Sequence, residues 1–361
     1  MTASESWLLG LKTAESSDVL TETERKNLRP MKAGLLAAVC VPGCGQPQLR
    51  FFADFLSLSI ITNGRIRGAR DMSENGWTGE GVGGGVDALG RHTLFQHLLP
   101  ELQRLVSKAT STWKTRFESS VRSYHSAQLQ VITDRVNNVI PDLETYLPLR
   151  RELSGLYMLL DLIELCENLT LPPMDDETFS KFNALKQLAA DIIGCSLDVV
   201  AFNDDQVQGN RHNLITVIMT HKRLSLQGAL NLAGVLIKRM FDSFVETEKS
   251  LISAPTAPQT NYLGNGSLSS YWNWVSLSRL ATPPASPPRS TPDPSNGANG
   301  GDLAHLGDLP SYVHTFRDCV VGTINWAYET ELYFGKKGEE IRTFGWVFLN
   351  PQNDGDGEER S

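Results

Sequence analysis

Residues 189–214, AADIIGCSLDVVAFNDDQVQGNRHNL, constrain the fold more than any other stretch of this chain. Apolar Ile192, Ile193, Leu197, Val200 and Ala201 recur at three- and four-residue steps, the period of a helix buried along one stripe. Gly209-Asn210 breaks that helix just before His212-Asn213. Leu197, Ala201 and Asp205 are four residues apart in turn and point the same way. The same period returns over 31–62, with Pro42-Gly43 as a turn, and over 93–140, 145–169, 177–208, 213–250 and 310–335. Alternating apolar runs, hairpin turns and a repeat period are all missing. The pattern predicts an all-α, single-domain fold of roughly ten helices.

Between these segments the character of the chain changes. Residues 1–30 are polar and mixed, and they read as an extended arm with one short helix. Residues 63–91, NGRIRGAR followed by GWTGEGVGGGVDALG, turn basic and then glycine-rich and read as a loop. Residues 253–310 form a low-complexity insertion in which 280–303 cannot bury enough apolar surface to order and are expected to be disordered. The main body thus runs over 31–349, and 350–361 form an acidic tail.

Composition excludes some classes of function. Lys+Arg minus Asp+Glu is 33 − 41 = −8, a poor match to a nucleic-acid binder. Five scattered cysteines (Cys40, Cys44, Cys166, Cys195, Cys319) and an opening without a basic leader and long apolar run predict reduced thiols in the cytoplasm. No run reaches the roughly 20 apolar residues of a membrane span. Gly79 to Gly84 fits GxGxxG but follows no strand, so a surface loop is the better reading. There is no GxSxG elbow and no HExxH pair, and Cys40-x3-Cys44 lacks a second half-site. Arg150-Arg151 reads either as a solvated pair beside Glu144 and Glu152 or as an anion sensor, since guanidinium meets phosphate oxygens in bidentate pairs.

Four stretches together resemble the class I terpene synthases, in particular the mushroom-type fungal sesquiterpene cyclases. They are LRFFADFLSLSIIT, YLPLRRELSG, DIIGCSLDVVAFNDDQVQGNRHNLITVIM and INWAYETELYFGKKGEEI. The resemblance covers roughly 30–250 and 308–349, and Arg151 lies 46 residues before Leu197, about the interval the family keeps between sensor and second metal motif. It implies a class I terpenoid synthase helical bundle around a central apolar cavity. It also implies a farnesyl diphosphate substrate held through three Mg²⁺ ions, with aromatic faces stabilising the carbocation once diphosphate leaves.

The same resemblance exposes departures. The first acidic motif falls on Asn63-Gly64-Arg65-Ile66-Arg67, with Asp71 and Glu74 further on; eight residues is about 12 Å along a helix. The second motif, asparagine, serine and glutamate at four-residue steps, falls on Leu197, Ala201 and Asp205. A register starting at Asn203 fails too, since Val207 and Arg211 then fall on ligand positions. The C-terminal arginine falls on Leu332, while Tyr333, Arg151 and Gly155 remain. The resemblance thus implies Arg151 and Tyr333 at the diphosphate, degenerate metal positions at Asp205 and Asn63, and lost positions at Leu197, Ala201 and Leu332.

Mg²⁺ needs hard oxygen ligands, so the implied ligand set is incomplete. The expectation is a sesquiterpene-synthase-like protein lacking or strongly impaired in Mg²⁺-dependent ionisation. The alternatives are an active synthase using Asp198, Asp204, Asp205 and Asp71, or a non-catalytic protein holding an isoprenoid or a partner.

Overall fold

The computed structural model describes residues 3–12, 17–69, 71, 74, 76–78, 85–252 and 308–345. The expected insertion up to residue 307, with the stretch 280–303 expected to be disordered, the GxGxxG sequence and the acidic tail lie outside the described residues.

In chain order the helices are α1 (Ala3–Leu9), α2 (Glu22–Met31), α3 (Ala33–Cys40), α4 (Gln46–Gly68), α5 (Val86–Leu89), α6 (Leu99–Val106), α7 (Ser111–Val136), α8 (Leu143–Leu153) and α9 (Leu156–Cys166). There follow α10 (Asp176–Val207), α11 (Leu214–Lys222), α12 (Leu226–Ile252), α13 (Leu309–Glu329), α14 (Glu331–Phe334) and α15 (Gly338–Phe344). Among the described residues the only β pairing is two isolated bridges, Lys12–Asp18 and Trp77–His92. The fold is all-α, as the periodicity predicts.

α10 is the longest element and forms for local reasons. The Asp175 carboxylate accepts the Thr178 N–H at 2.7 Å, and Asp176 and Glu177 lie in the first turn, where the helix dipole favours negative charge. It packs mainly against α12 and α13 and also meets α8, α9, α11 and α14. Ala189, Ile192, Ile193 and Ala201 are completely buried along it.

Four local expectations are corrected. The 145–169 stretch is not one rod: α8 ends and α9 begins at Gly155, whose φ of +69° suits glycine. A Cβ there would sit 3.3 Å from the Tyr124 ring and from Met158 Cε. The 213–250 stretch breaks after Lys222, where Arg223 adopts φ 52°. The 310–335 stretch breaks at Thr330, which caps α14. The 63–91 loop starts later than expected, because α4 continues to Gly68. There Arg135 of α7 donates to the Ile66 carbonyl at 2.9 Å and also to the Ala69 carbonyl, satisfying groups that a helix end leaves open.

The N-terminal stretch carries two helices, α1 and α2, rather than one. Thr21 and Glu24 build a reciprocal capping box, which TETE announces in the sequence. Glu24 also receives Arg65 at 2.7 and 2.8 Å, and Arg65 donates to the Val19 carbonyl at 2.9 Å. One basic residue of α4 therefore fastens α2 across the end of the bundle.

Burial pushes the Glu24 carboxyl up, but Arg65 and the Thr21 N–H outweigh it, and the group sits below its ordinary 4.5. With the folded value lowered, the contact contributes fully above that ordinary value and is lost as pH falls through the folded one. Hydrogen-exchange protection across α2 should therefore drop on acidification before that of α10. Glu24→Gln should lower α2 protection at neutral pH by an amount equivalent to about 1–3 kcal/mol. Unchanged protection in the variant would contradict this attachment.

Candidate functional site

A cavity of about 420 Å³ lies among α2, α4, the α8–α9 break, α10, α13 and α14. Leu56, Ile60, Leu159, Ile193, Leu197 and Trp326 are among the residues that make its wall apolar. Polar groups come from Asn63, Arg65 and Arg67 of α4, Arg150 of α8, Asp198 and Asp204 of α10, and Tyr333 of α14.

The stretch on which the resemblance places a first motif serves the fold. Asn63 Oδ1 accepts the Tyr124 hydroxyl at 3.0 Å, and its Nδ2 donates to the Ser154 carbonyl at 3.2 Å, at the α8–α9 break. An ionised aspartate cannot make the second bond, because it carries no donor. Arg67, one helical turn further on and itself in the cavity wall, approaches Asp205 of α10, with Nη1 3.7 Å from Oδ1. Burial works against the Arg67 charge, but Asp205 outweighs it and raises the group above its ordinary value. The guanidinium is a fixed cation in the gap between α4 and α10.

The second motif is equally committed. Leu197 lines the cavity and Ala201 is fully buried, so neither offers a lone pair. Asp205 is 2% exposed. Its Oδ1 accepts Asn210 Nδ2 at 3.0 Å and its Oδ2 accepts Asn213 Nδ2 at 2.8 Å. These bonds tie the end of α10 to the turn before α11, and Gly209 makes the turn with φ +69°. At 3.6 residues per turn, position 204 lies within about 20° of position 197, whereas 205 is rotated by about 80°. Asp204 therefore joins the cavity wall with Gln208, and Asp205 faces the exit turn. Burial and the neighbouring Asp205 raise Asp204 above the usual carboxylate value, against the pull of Arg67.

The arginine pair divides its labour, and neither member is the solvated residue that one sequence reading allows. Arg151 makes two bonds to the Asp191 carboxylate, at 2.7 and 3.0 Å, and does not line the cavity. Arg150 does line it, and its Nε donates to Asp198 Oδ1 at 2.7 Å. Asp198 also accepts the Tyr146 hydroxyl and, at 3.1 Å, the Leu214 N–H that opens α11. Tyr333 faces the cavity beside Leu332 and meets Trp326 edge-on, with ring centroids 6.1 Å apart. Burial raises its phenol above the ordinary value, so it stays neutral.

Mg²⁺ does not fit this donor set. Two expected ligand positions are hydrocarbon, the asparagine is spent on the helix break, and the remaining carboxylate is shared by two amides and a guanidinium. Among the described residues no group of three or more Asp, Glu, His or Cys could hold a metal ion. The sequence reading names Arg67 within the first-motif stretch, Arg150 in the arginine pair and Asp204 in the non-standard ligand set, but assigns none of them to a shared cavity wall. A helical-wheel projection from Asn63 and Leu197 places Arg67 and Asp204.

Asp198 organises three elements, so removing it strands the Arg150 charge and the start of α11. Asp198→Ala should cost about 3–5 kcal/mol in denaturant unfolding, and a loss under 1 kcal/mol would contradict the role given to it.

Comparison with known proteins fits this geometry. The family model described as "Terpene synthase family 2, C-terminal metal binding" matches residues 82–243. Sesquiterpene synthase 1 of Postia placenta is 28% identical over 346 residues, covering 92% of this chain and 85% of the relative. Sesquiterpene synthase Agr1 of Cyclocybe aegerita is 26% identical over 361 residues, covering 97% and 87%. The crystal structure of linalool/nerolidol synthase from Streptomyces clavuligerus superposes with a TM-score of 0.61 at 14% identity, covering 90% of this chain and 93% of that one. No helix among the described residues is long and apolar enough to cross a membrane.

Proposed function

From a chain that belongs to the fungal class I sesquiterpene cyclase family, we propose that this member keeps the isoprenoid cavity but has lost Mg²⁺-dependent ionisation of farnesyl diphosphate. The family binds prenyl diphosphates and depends on Mg²⁺. In this chain the observation that carries the proposal is the Arg67–Asp205 pair.

Magnitudes favour this reading over an active synthase. A unit-charge pair 4 Å apart is worth about 4 kcal/mol at an effective dielectric of 20, so a divalent ion beside Arg67 would meet about 8 kcal/mol of repulsion. Its attraction to Asp205 would be partly cancelled by the guanidinium already there. In the non-standard ligand set Asp198 and Asp205 already hold their partners, which leaves Asp204 as the one cavity-lining carboxylate of that set without a hydrogen bond among the described residues. What the chain's own residues can do is hold an apolar chain, exclude water and offer hydrogen bonds at one end.

Purified protein incubated with farnesyl diphosphate and Mg²⁺, with geranyl and geranylgeranyl diphosphate in parallel, should yield no cyclic hydrocarbon by gas chromatography and mass spectrometry. Cyclic sesquiterpene formed at the turnover ordinary for enzymes, about 1 s⁻¹ or more, would contradict the proposal.

A further inference from the structure

We propose that the cavity is a metal-independent receptor for an acyclic isoprenoid alcohol of farnesol size, its hydroxyl seated between Arg67, Arg150 and Asp204. This rests on the reading that the cavity is kept while ionisation is lost, and it names the head group that the cavity takes.

Unspent hydrogen-bonding capacity is the first ground. A guanidinium carries five N–H donors. Arg67 approaches Asp205 only at 3.7 Å, beyond a hydrogen bond, and makes no hydrogen bond to any other described residue. Arg150 commits its Nε to Asp198 and leaves its terminal nitrogens without partners among the described residues. Asp204 lines the same cavity and its carboxylate accepts no hydrogen bond among the described residues. Donors and an acceptor therefore line one cavity whose wall also carries Leu56, Ile60, Leu159, Ile193 and Leu197. A hydroxyl both donates and accepts, so one oxygen can give its proton to Asp204 and receive N–H groups from the arginines.

Charge counting is the second ground, and it selects the head group. Arg65 is balanced by Glu24, Arg67 by Asp205 and Arg150 by Asp198. Asp204 is left with Arg135 of α7 as the remaining counter-charge, a cation that acts on Asp205 and hydrogen-bonds to the Ile66 and Ala69 carbonyls and to Asn210, so the end is neutral overall. A diphosphate, or a carboxylate head, would thus bring negative charge to an end with no surplus cation, and burying an uncompensated charge costs several kcal/mol. A neutral hydroxyl avoids that cost. The volume of about 420 Å³ lies in the range of roughly 300–1,000 Å³ used by small-molecule sites.

Titration of the full-length protein with farnesol and with farnesyl diphosphate, each in EDTA and in Mg²⁺, followed by calorimetry, tests this. Farnesol should bind equally in both buffers and at least tenfold more tightly than the diphosphate in either. Asp204→Ala and Arg67→Gln should each weaken farnesol binding about tenfold, with thermal melts confirming that both variants fold. The wild-type comparison of alcohol with diphosphate stands without any variant. Tighter binding of the diphosphate in EDTA would overturn the neutral-head assignment and leave the loss of ionisation standing. Tighter binding of the diphosphate only in Mg²⁺ would overturn both. Farnesol binding that is absent, or unchanged in Asp204→Ala, would remove the site.

Discussion

Arg67 of α4 faces Asp205 of α10 across 3.7 Å, and the polar end of the cavity is arranged around that contact. A prenyl diphosphate enters an apolar pocket only if cations meet it, because the cost of burying its charge exceeds what chain burial returns. In this chain the cation between the two helices is covalently part of α4 and is already balanced. On the proposed reading, this pair disfavours a divalent cation in the gap between α4 and α10.

The neighbouring carboxylates show why such a substitution is stable. Asp205 accepts from Asn210 and Asn213 and so anchors the turn out of α10, while Asp198 accepts from Arg150, Tyr146 and the first N–H of α11. A buried carboxylate with partners of this kind is satisfied by the fold itself. Asn63 does the same on the opposite wall, holding the α8–α9 break through an amide N–H that a carboxylate does not have. On the proposed reading, Asn63 and Asp205, where the resemblance places ligands, spend their side chains on the fold instead.

Much of this was legible in the sequence. The three-and-four-residue spacing of Ile192, Ile193, Leu197, Val200 and Ala201 marks α10, and of the four-residue steps from Leu197 only Leu197 itself lines the cavity. Other features were hidden for identifiable reasons. Asn63 to Gly68 looked like a loop because asparagine, glycine and arginine carry no apolar period; a long-range cap from Arg135 keeps that stretch helical. The break at Gly155 lies inside a strong apolar stripe, and what favours glycine there is its φ of +69° together with the close approach of the Tyr124 ring and Met158. Adjacent Arg150 and Arg151 could not be told apart by spacing, since the choice depends on Asp198 and Asp191 on a distant helix. Four-residue steps also drift by about 40° each, which is how Asp204 rather than Asp205 reaches the cavity wall.

The central claim is that the space between α4 and α10 seats no divalent cation even when diphosphate is supplied. Electron paramagnetic resonance of Mn²⁺ with inorganic diphosphate tests it without reference to any product. The spectrum should be the same with and without the protein. A spin-coupled manganese signal that appears with the protein and vanishes in Asp205→Ala would contradict the account.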